Sequence, residues 1–166
     1  DDFTELITTF LSQFKTRNEQ IDQFEDFVKK RKIRREILFL ELFKPLFELY
    51  QNHLSNIKAI DFDDMINMAT DFVESDKFQS FYDYVIIDEY QDISFSRYML
   101  IKSILDQSPS TKLFCVGDDW QSIYRFAGSD IGLFTSFEDH FSSNKSQSIE
   151  RKTEKTFIER TYRFDS

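Results

Sequence analysis

Carboxylates directly follow two short apolar runs in the second half of this 166-residue chain. The first run, Y-V-I-I at residues 84–87, leads into Asp88 and Glu89. The second run, L-F-C-V at residues 113–116, leads through a glycine into Asp118. Buried strands that end in carboxylates can present metal and water ligands at the edge of an α/β nucleotide-binding sheet. The two segments together indicate a site for nucleotide hydrolysis.

The acidic pair after the first run has the chemistry of a magnesium and water site. Magnesium is held by one or two protein carboxylates together with phosphate oxygens and waters. Asp88 suits that role, and Glu89 can orient the attacking water or accept its proton. An acidic pair can also be a solvated helix N-terminus that the helix dipole stabilises. The four apolar residues before the pair, with Gln91 and Asp92 behind it, favour the metal and water site.

The sequence contains no phosphate-binding loop of the type G-x-x-x-x-G-K-[ST]. It also begins without Met and within a helical pattern. Both features predict a piece of a longer ATP-driven protein, and the isolated chain is expected to have no ATPase or unwinding activity.

Composition restricts the function classes. The net charge is −9, and the deficit lies entirely in residues 61–166, since residues 1–60 carry ten acidic and ten basic side chains. This balance argues against tight nucleic-acid binding by the chain alone.

A single cysteine, Cys115, excludes an intramolecular disulfide. Together with the absence of a leader or a membrane-spanning apolar run, this favours a cytoplasmic protein. His53 and His140 have no neighbours at metal-ligand spacing, which argues against a zinc site.

Apolar spacing predicts a helical first third. Residues 3–14, 21–28 and 33–54 each place apolar side chains on one face at helical intervals, and Pro45 is expected to kink or divide the third helix. Asp61 predicts the N-cap of a further helix, with Asp64 completing an arrangement like a capping box.

The second part of the chain changes to an alternating pattern. A strand at 84–88, a helix at 96–107 and a strand at 112–116 predict a right-handed parallel βαβ unit. A short helix near 131–141, a polar loop at 142–148 and a last strand at 155–159 are expected to follow. The predicted architecture is an all-helical N-terminal segment joined to half of a parallel α/β domain.

Four segments, in order, resemble motifs of the UvrD/Rep family of superfamily I DNA helicases. Residues 88–92, D-E-Y-Q-D, resemble motif II, and residues 116–126, V-G-D-D-W-Q-S-I-Y-R-F, are similar to motif III. Residues 61–66 resemble the D-F-x-D-L segment that precedes motif II, and residues 161–163 resemble the N-Y-R of motif IV. The sequence of residues 116–126 is most similar to the helicase IV branch of this family.

The resemblance implies a fold and an activity. The fold would be α/β, a partial RecA-like parallel sheet of the P-loop NTPase class, with residues 1–60 as a helical insertion. Residues 61–166 would be the C-terminal part of the first RecA-like motor domain. The parent protein would use ATP and Mg²⁺ to move along single-stranded DNA, 3′ to 5′, and to unwind duplexes at single-strand/duplex junctions. No membrane partner is expected.

The resemblance also implies roles for individual residues. Gln121 would contact the γ-phosphate, a role that its amide donor permits. Arg163 would neutralise phosphate charge in the transition state. The expected catalytic residues are Asp88, Glu89, Gln121 and Arg163; of these, Asp88 and Glu89 would hold Mg²⁺, and Asp88, Gln121 and Arg163 would contact the ATP phosphates. The chain departs from the family pattern at Ala127, where many relatives have Arg, and at Thr161, where Asn is usual.

Aromatic residues near the second acidic segment are candidates for DNA binding. Tyr124 and Phe126 could stack on unpaired bases, although aromatic residues on a turn more often belong to a core. Their position in the resembled motif favours stacking. Trp120 is compatible with either a core position or a wall of the nucleotide pocket.

Six of the seven residues at 29–35 are basic, and on a helix they would cover much of the circumference. They could contact DNA phosphates, or they could form a solvated face balanced by Glu25, Asp26 and Glu36. The basic residues of this candidate patch are Lys29, Lys30, Arg31, Lys32, Arg34 and Arg35.

Two other functions remain compatible with the sequence. An ATPase of this type could remodel a protein partner such as a transcription complex, although the two stacking candidates argue against it. A scaffold that has lost its chemistry is also possible, although the retained Asp88, Glu89, Gln121 and Arg163 argue against it.

Overall fold

The computed structural model describes residues 2–121, 129–144 and 149–158. Residues 2–56 contain three helices: α1 (Asp2–Thr16), α2 (Ile21–Arg31) and α3 (Arg34–Asn56). Their apolar faces meet in an aromatic cluster in which Phe10 contacts the rings of Phe39 and Phe43 edge-on, with centroids 4.8 and 4.7 Å apart. Pro45 lies inside α3, so the alternative in which it divides the helix is wrong.

Helix α4 (Phe62–Glu74) begins as the sequence predicts. The carboxylate of Asp61 accepts a hydrogen bond from the backbone N–H of Asp64 at 2.8 Å, and the Asp64 carboxylate accepts one from the backbone N–H of Asp61. This reciprocal capping box is confirmed, and it satisfies backbone donors that would otherwise lack partners.

A charged cluster joins α4 to the N-terminal helices. Lys15, buried at the end of α1, lies 2.5 Å from the carboxylate of Asp61 and 2.7 Å from that of Asp64. Tyr50 on α3 donates its hydroxyl hydrogen to Asp61 at 2.9 Å. The carboxylate that caps α4 therefore also binds α1 and α3.

The predicted parallel βαβ unit is confirmed. Strand β1 (Tyr84–Ile87), helix α5 (Phe95–Gln107) and strand β2 (Lys112–Cys115) follow in order, and the two strands pair in parallel with Ile87 opposite Cys115. Each strand is one residue shorter than predicted. Alternate residues of both strands, including Val85 and Leu113, turn toward the protein interior, whereas the opposite face is exposed.

The region after β2 differs from the sequence prediction. Instead of one helix near 131–141 there are two short ones, α6 (Ile131–Thr135) and α7 (Phe137–Phe141), because the backbone of Ser136 leaves the helical conformation between them. Within the predicted polar loop, β3 (Ser143–Asn144) pairs antiparallel with β4 (Ile149–Glu150).

The prediction of a last strand at 155–159 is wrong for residues 155–158, the part that the structure describes. Residues 151–158 have no regular secondary structure. The apolar pair Phe157 and Ile158 is 76% and 84% exposed, so it finds no neighbouring strand or core within the described part of the chain. Period-two alternation forms a strand only where a sheet edge accepts its hydrogen bonds.

The core around the βαβ unit is built from α5, α6, α7 and the turn after β1. Its buried members are Tyr90, Ile93, Tyr98, Leu105, Leu133 and Phe141. Among the residues that the structure describes, no helix is both long and apolar enough to cross a membrane.

Candidate functional site

The two acidic segments lie at the same edge of the sheet. Beyond the paired strands, the backbone N–H of Val116 donates to the carbonyl of Ile87, and the N–H of Tyr90 donates to the carbonyl of Val116, both at 2.9 Å. The two chains therefore leave the strands side by side. Because both strands run in the same direction, their carboxyl ends bring Asp88 and Asp118 to one edge.

Asp88 and Glu89 stand exposed at this edge in a tight turn. Oδ1 of Asp88 accepts a hydrogen bond from the backbone N–H of Glu89 at 2.9 Å. Glu89 has left-handed backbone angles, φ 51° and ψ 42°. That conformation costs a non-glycine residue about 1 kcal/mol or more. The turn is held because the N–H of Asp92 donates to the carbonyl of Glu89 at 3.0 Å.

Gln91 connects the first acidic segment to the second. Its side chain is 1% exposed. Its Nε2 donates to Oε2 of Glu89 at 2.7 Å, and its Oε1 accepts from the backbone N–H of Asp118 at 3.0 Å. One buried amide thus binds the carboxylate that follows β1 and the backbone that follows β2.

Gly117 permits this close approach. A Cβ atom at this position would lie 2.6 Å from Oε1 of Gln91 and 2.8 Å from Cε2 of Phe134. Both distances are far below van der Waals contact, so any other residue would displace the amide or the ring.

Gln121 extends the same network. It lies in a short 3₁₀ turn, Asp119–Gln121, and its Nε2 donates to Oδ2 of Asp118 at 2.6 Å. The other carboxylate oxygen of Asp118 accepts from the backbone N–H of Trp120 at 3.1 Å. Hydrogen bonds therefore run from Glu89 through Gln91 and Asp118 to Gln121. We call these four residues the edge network.

Trp120 stands beside the edge network and is 92% exposed. The core alternative for this residue is therefore wrong, and the other alternative, a wall of a nucleotide pocket, stays a prediction.

The edge network rests on a rigid aromatic base. Tyr90, between Glu89 and Gln91, is fully buried and packs edge-on against Phe137 with centroids 5.5 Å apart. Burial raises the pKa of Tyr90 well above its ordinary value. Burial also raises the pKa of the Cys115 thiol to about 12, so this cysteine stays protonated and is neither a nucleophile nor a metal ligand near neutral pH.

The donor set at the edge fits magnesium held jointly with a nucleotide. No cluster of three or more His, Cys, Asp or Glu side chains in the described ranges could hold a metal ion by itself. Magnesium needs only one or two protein carboxylates when phosphates and waters complete its shell. The Asp88 side chain is exposed. Among the described residues its carboxylate makes one hydrogen bond, through Oδ1. Its Oδ2 atom is therefore available to a cation.

The basic run at 29–35 is not on a single helix, in contrast to the prediction. Helix α2 ends at Arg31, Lys32 takes left-handed angles as its C-cap, and α3 begins at Arg34. Lys29 pairs with Glu25, and Arg31 pairs with Glu36 at 3.2 Å. The other four, which have no ion-pair partner among the residues that the structure describes, are Lys30, Lys32, Arg34 and Arg35.

The structure does not describe three of the residues for which the sequence predicts a functional role. Tyr124, Phe126 and Arg163 lie outside the described residues. The structure brings together Asp88, Glu89 and Gln121, whereas residues 29–35 span the end of α2 and the start of α3. Sequence reasoning assigned no role to Gln91, Gly117 or Asp118. The signal that could have found Gly117 is a glycine at the end of a strand, where backbone or a side chain often approaches closely.

The model of the UvrD/REP helicase N-terminal domain matches residues 2–142 of this chain. The chain is 35% identical over 127 residues to DNA helicase IV of Escherichia coli K12, covering 76% of the chain and 17% of that protein. It is 31% identical over 128 residues to the ATP-dependent DNA helicase PcrA of Staphylococcus epidermidis, covering 74% of the chain and 16% of that protein. The ATP-dependent DNA helicase Rep of Buchnera aphidicola is 38% identical over 93 residues, which are 53% of the chain and 14% of that protein.

Proposed function

The chain belongs to the UvrD/Rep helicase family, and we propose that it is part of a longer protein that couples ATP hydrolysis to movement along single-stranded DNA and to duplex unwinding. The chain spans less than a fifth of the length of these relatives. The activity therefore belongs to the whole protein, and the 166-residue chain alone is expected to hydrolyse no ATP, since it has no phosphate-binding loop.

The observation that carries this proposal is the edge network. It joins Glu89, the candidate for orienting water, to Gln121, the candidate for contacting the γ-phosphate, through two hydrogen-bonded residues. A purely structural acidic turn would have no need of a buried amide shared with the next strand. A nucleotide-hydrolysing site needs the water and the phosphate contact at a fixed separation.

Each residue at the edge has a distinct proposed role. Asp88 would hold Mg²⁺, which when bound neutralises phosphate charge. The Glu89 carboxylate orients the attacking water and accepts its proton. Gln121 donates its amide hydrogen to the γ-phosphate, and Arg163 supplies a further positive charge.

The DNA-binding surface is proposed on two parts of the chain. Tyr124 and Phe126 follow Gln121 by a few residues, so stacking of bases on them would couple DNA position to nucleotide state. The four basic residues at the junction of α2 and α3 that have no ion-pair partner among the described residues would contact phosphates of single-stranded DNA or of a junction. The proposed fold is the C-terminal part of the first RecA-like motor domain, residues 61–166, with residues 1–60 as a helical insertion. Translocation is proposed to run 3′ to 5′.

The proposal is tested by ATP hydrolysis in the full-length protein with and without single-stranded DNA. Glu89→Gln should keep ATP binding and lower turnover by about 10²- to 10⁴-fold. Glu138→Gln, an exposed carboxylate on α7, is the matched control and should keep the wild-type rate. Retained turnover in Glu89→Gln would remove this residue from its role.

The partner class is tested separately. Replacing Tyr124 and Phe126 together by Ala should abolish stimulation of ATP hydrolysis by single-stranded DNA. Unchanged stimulation would favour an ATPase that remodels a protein partner. A full-length protein that hydrolyses no ATP under any of these conditions would favour the scaffold.

A further inference from the structure

Gln91 is an unusual residue for the edge of a sheet where the neighbouring carboxylates are exposed. Its side chain is almost completely buried, and Tyr90 and Ile93 in the same turn are buried with it. Placing an amide in such a position is costly unless both its donor and its acceptor are satisfied. Here the two ends of the amide are bonded to two different segments.

The chemistry of an amide suits this position specifically. Nε2 donates to the carboxylate of Glu89, and Oε1 accepts from the backbone N–H of Asp118. A carboxylate in the same place could not donate to Glu89, and an apolar side chain of the same size could do neither. The glycine at position 117 keeps the space that this amide occupies.

We propose that Gln91 is a positioning residue that holds the Glu89 carboxylate in place for water activation and ties it to the segment carrying Gln121. This inference rests on the proposed function. Because Asp118 accepts from the amide of Gln121, a shift of the segment after β2 on nucleotide binding moves Oε1 of Gln91. The carboxylate at Glu89 then moves with it.

The decisive variant is Gln91→Glu in the full-length protein. It keeps the size of the side chain but replaces the hydrogen-bond donor to Glu89 by a carboxylate oxygen, which repels the Glu89 carboxylate instead of holding it. At neutral pH, kcat should fall about 10- to 100-fold with KM for ATP changed less than threefold.

The matched control is Gln107→Glu. Gln107 also bridges separate segments, since its Nε2 donates to the carbonyls of Val73 and Phe78 and its Oε1 accepts from the N–H of Ser80. It lies at the other end of α5, so its replacement should reduce stability without lowering the kcat of the folded protein. A wild-type kcat and KM in folded Gln91→Glu would overturn the proposal.

A second variant keeps the proposal testable if Gln91→Glu does not fold. Gln91→Met preserves volume and removes both hydrogen bonds, and it should also lower kcat about 10- to 100-fold with little change in KM. In a Glu89→Gln background, Gln91→Met should lower the residual rate no further, because the two residues act as one unit. An additional loss equal to that in the wild-type background would overturn the positioning role.

The two proposals fail in distinguishable ways. If the wild-type protein shows no DNA-stimulated hydrolysis, or if Glu89→Gln keeps full turnover, the proposed function fails. If both of those results are as expected and Gln91→Met and Gln91→Glu behave as wild type, only the role of Gln91 fails.

Discussion

The amide of Gln121 donates a hydrogen bond to the Oδ2 atom of Asp118 at 2.6 Å, three residues earlier in the chain. The residue proposed to contact the γ-phosphate is therefore already bound to a carboxylate. One of the two hydrogens of this amide is used by that carboxylate, and the other remains available to a phosphate oxygen. The bond to Asp118 fixes the direction in which the amide points.

Gln121→Glu should remove the proposed phosphate contact. The new carboxylate is repelled by Asp118 and by phosphate oxygens, and it has no hydrogen to donate. We expect ATP turnover of the full-length protein to fall about 100-fold. Steady-state hydrolysis with single-stranded DNA measures the effect, and Gln23→Glu, an exposed position on α2, is the control. A rate within threefold of wild type would contradict the role of Gln121.

Gly117→Ala should disturb both the fold and the site. The added methyl group meets Oε1 of Gln91 and the ring of Phe134 at distances that neither can accept without moving. We expect a loss of about 1–3 kcal/mol in the free energy of unfolding, measured by urea denaturation of the chain, and a reduced ATP turnover in the full-length protein.

Gly132→Ala is the matched control for that substitution. Its Cβ would lie 3.0 Å from Oδ1 of Asp130, a tight contact with a side chain that caps the short helix α6. Because Ala also favours the helical conformation by up to about 1 kcal/mol, the net loss should be smaller. If both variants lose the same free energy of unfolding, the contact between position 117 and Gln91 is not the reason for the glycine.

The basic residues at the end of α2 and the start of α3 should contribute to DNA affinity in a salt-dependent way. Replacing Lys30, Arg34 and Arg35 by Ala removes three charges that have no ion-pair partner within the described part of the chain. If each contacts a phosphate, the slope of log affinity against log salt should fall by about 2 for single-stranded DNA. Fluorescence anisotropy of the full-length protein at several salt concentrations measures it.

Replacing Lys29 and Arg31, which are paired with Glu25 and Glu36, provides the comparison for that experiment. This double variant should change the salt slope less. A triple variant with the wild-type slope would favour the alternative in which the run is only a solvated surface.

The acidic start of α4 predicts a pH dependence of stability. Although burial opposes it, hydrogen bonds from the Asp64 backbone, Lys15 and Tyr50 lower the pKa of Asp61 below its ordinary value. Asp61 therefore stabilises the fold above pH 3.8, and this contribution is lost as pH falls through its lowered pKa. Burial raises the pKa of Asp63, which makes its ionised form unfavourable to the fold near neutral pH.

Asp63→Asn should therefore stabilise the chain at pH 7 by about 0.5 kcal/mol, a small value because the carboxyl is only half-buried. The gain should vanish at pH 3, where Asp63 is protonated in both states. Thermal unfolding at the two pH values measures it, with the exposed Asp71→Asn on the same helix as the control. If Asp63→Asn changes the stability equally at both pH values, the effect does not come from the raised pKa of Asp63.

Local patterns predicted most of the elements in the described part of the chain. The capping box at Asp61 and Asp64 depends on residues three apart, and the βαβ unit depends on apolar alternation followed by helical spacing. Such features are readable because the interacting groups are close in sequence. Apolar spacing separates the second and third helices, but the left-handed C-cap at Lys32 was missed because charged residues carry no signal for it.

The sequence by itself determined the family, the parallel strand pair and the two acidic strand ends that carry Asp88, Glu89 and Gln121. Only the tertiary structure decided that Gln91 turns inward to bind both Glu89 and the backbone of Asp118, 27 residues further along the chain. The physical reason is that a side chain's partner depends on which segments the fold brings together. A motif written in one dimension names the residues but does not state the distances between them.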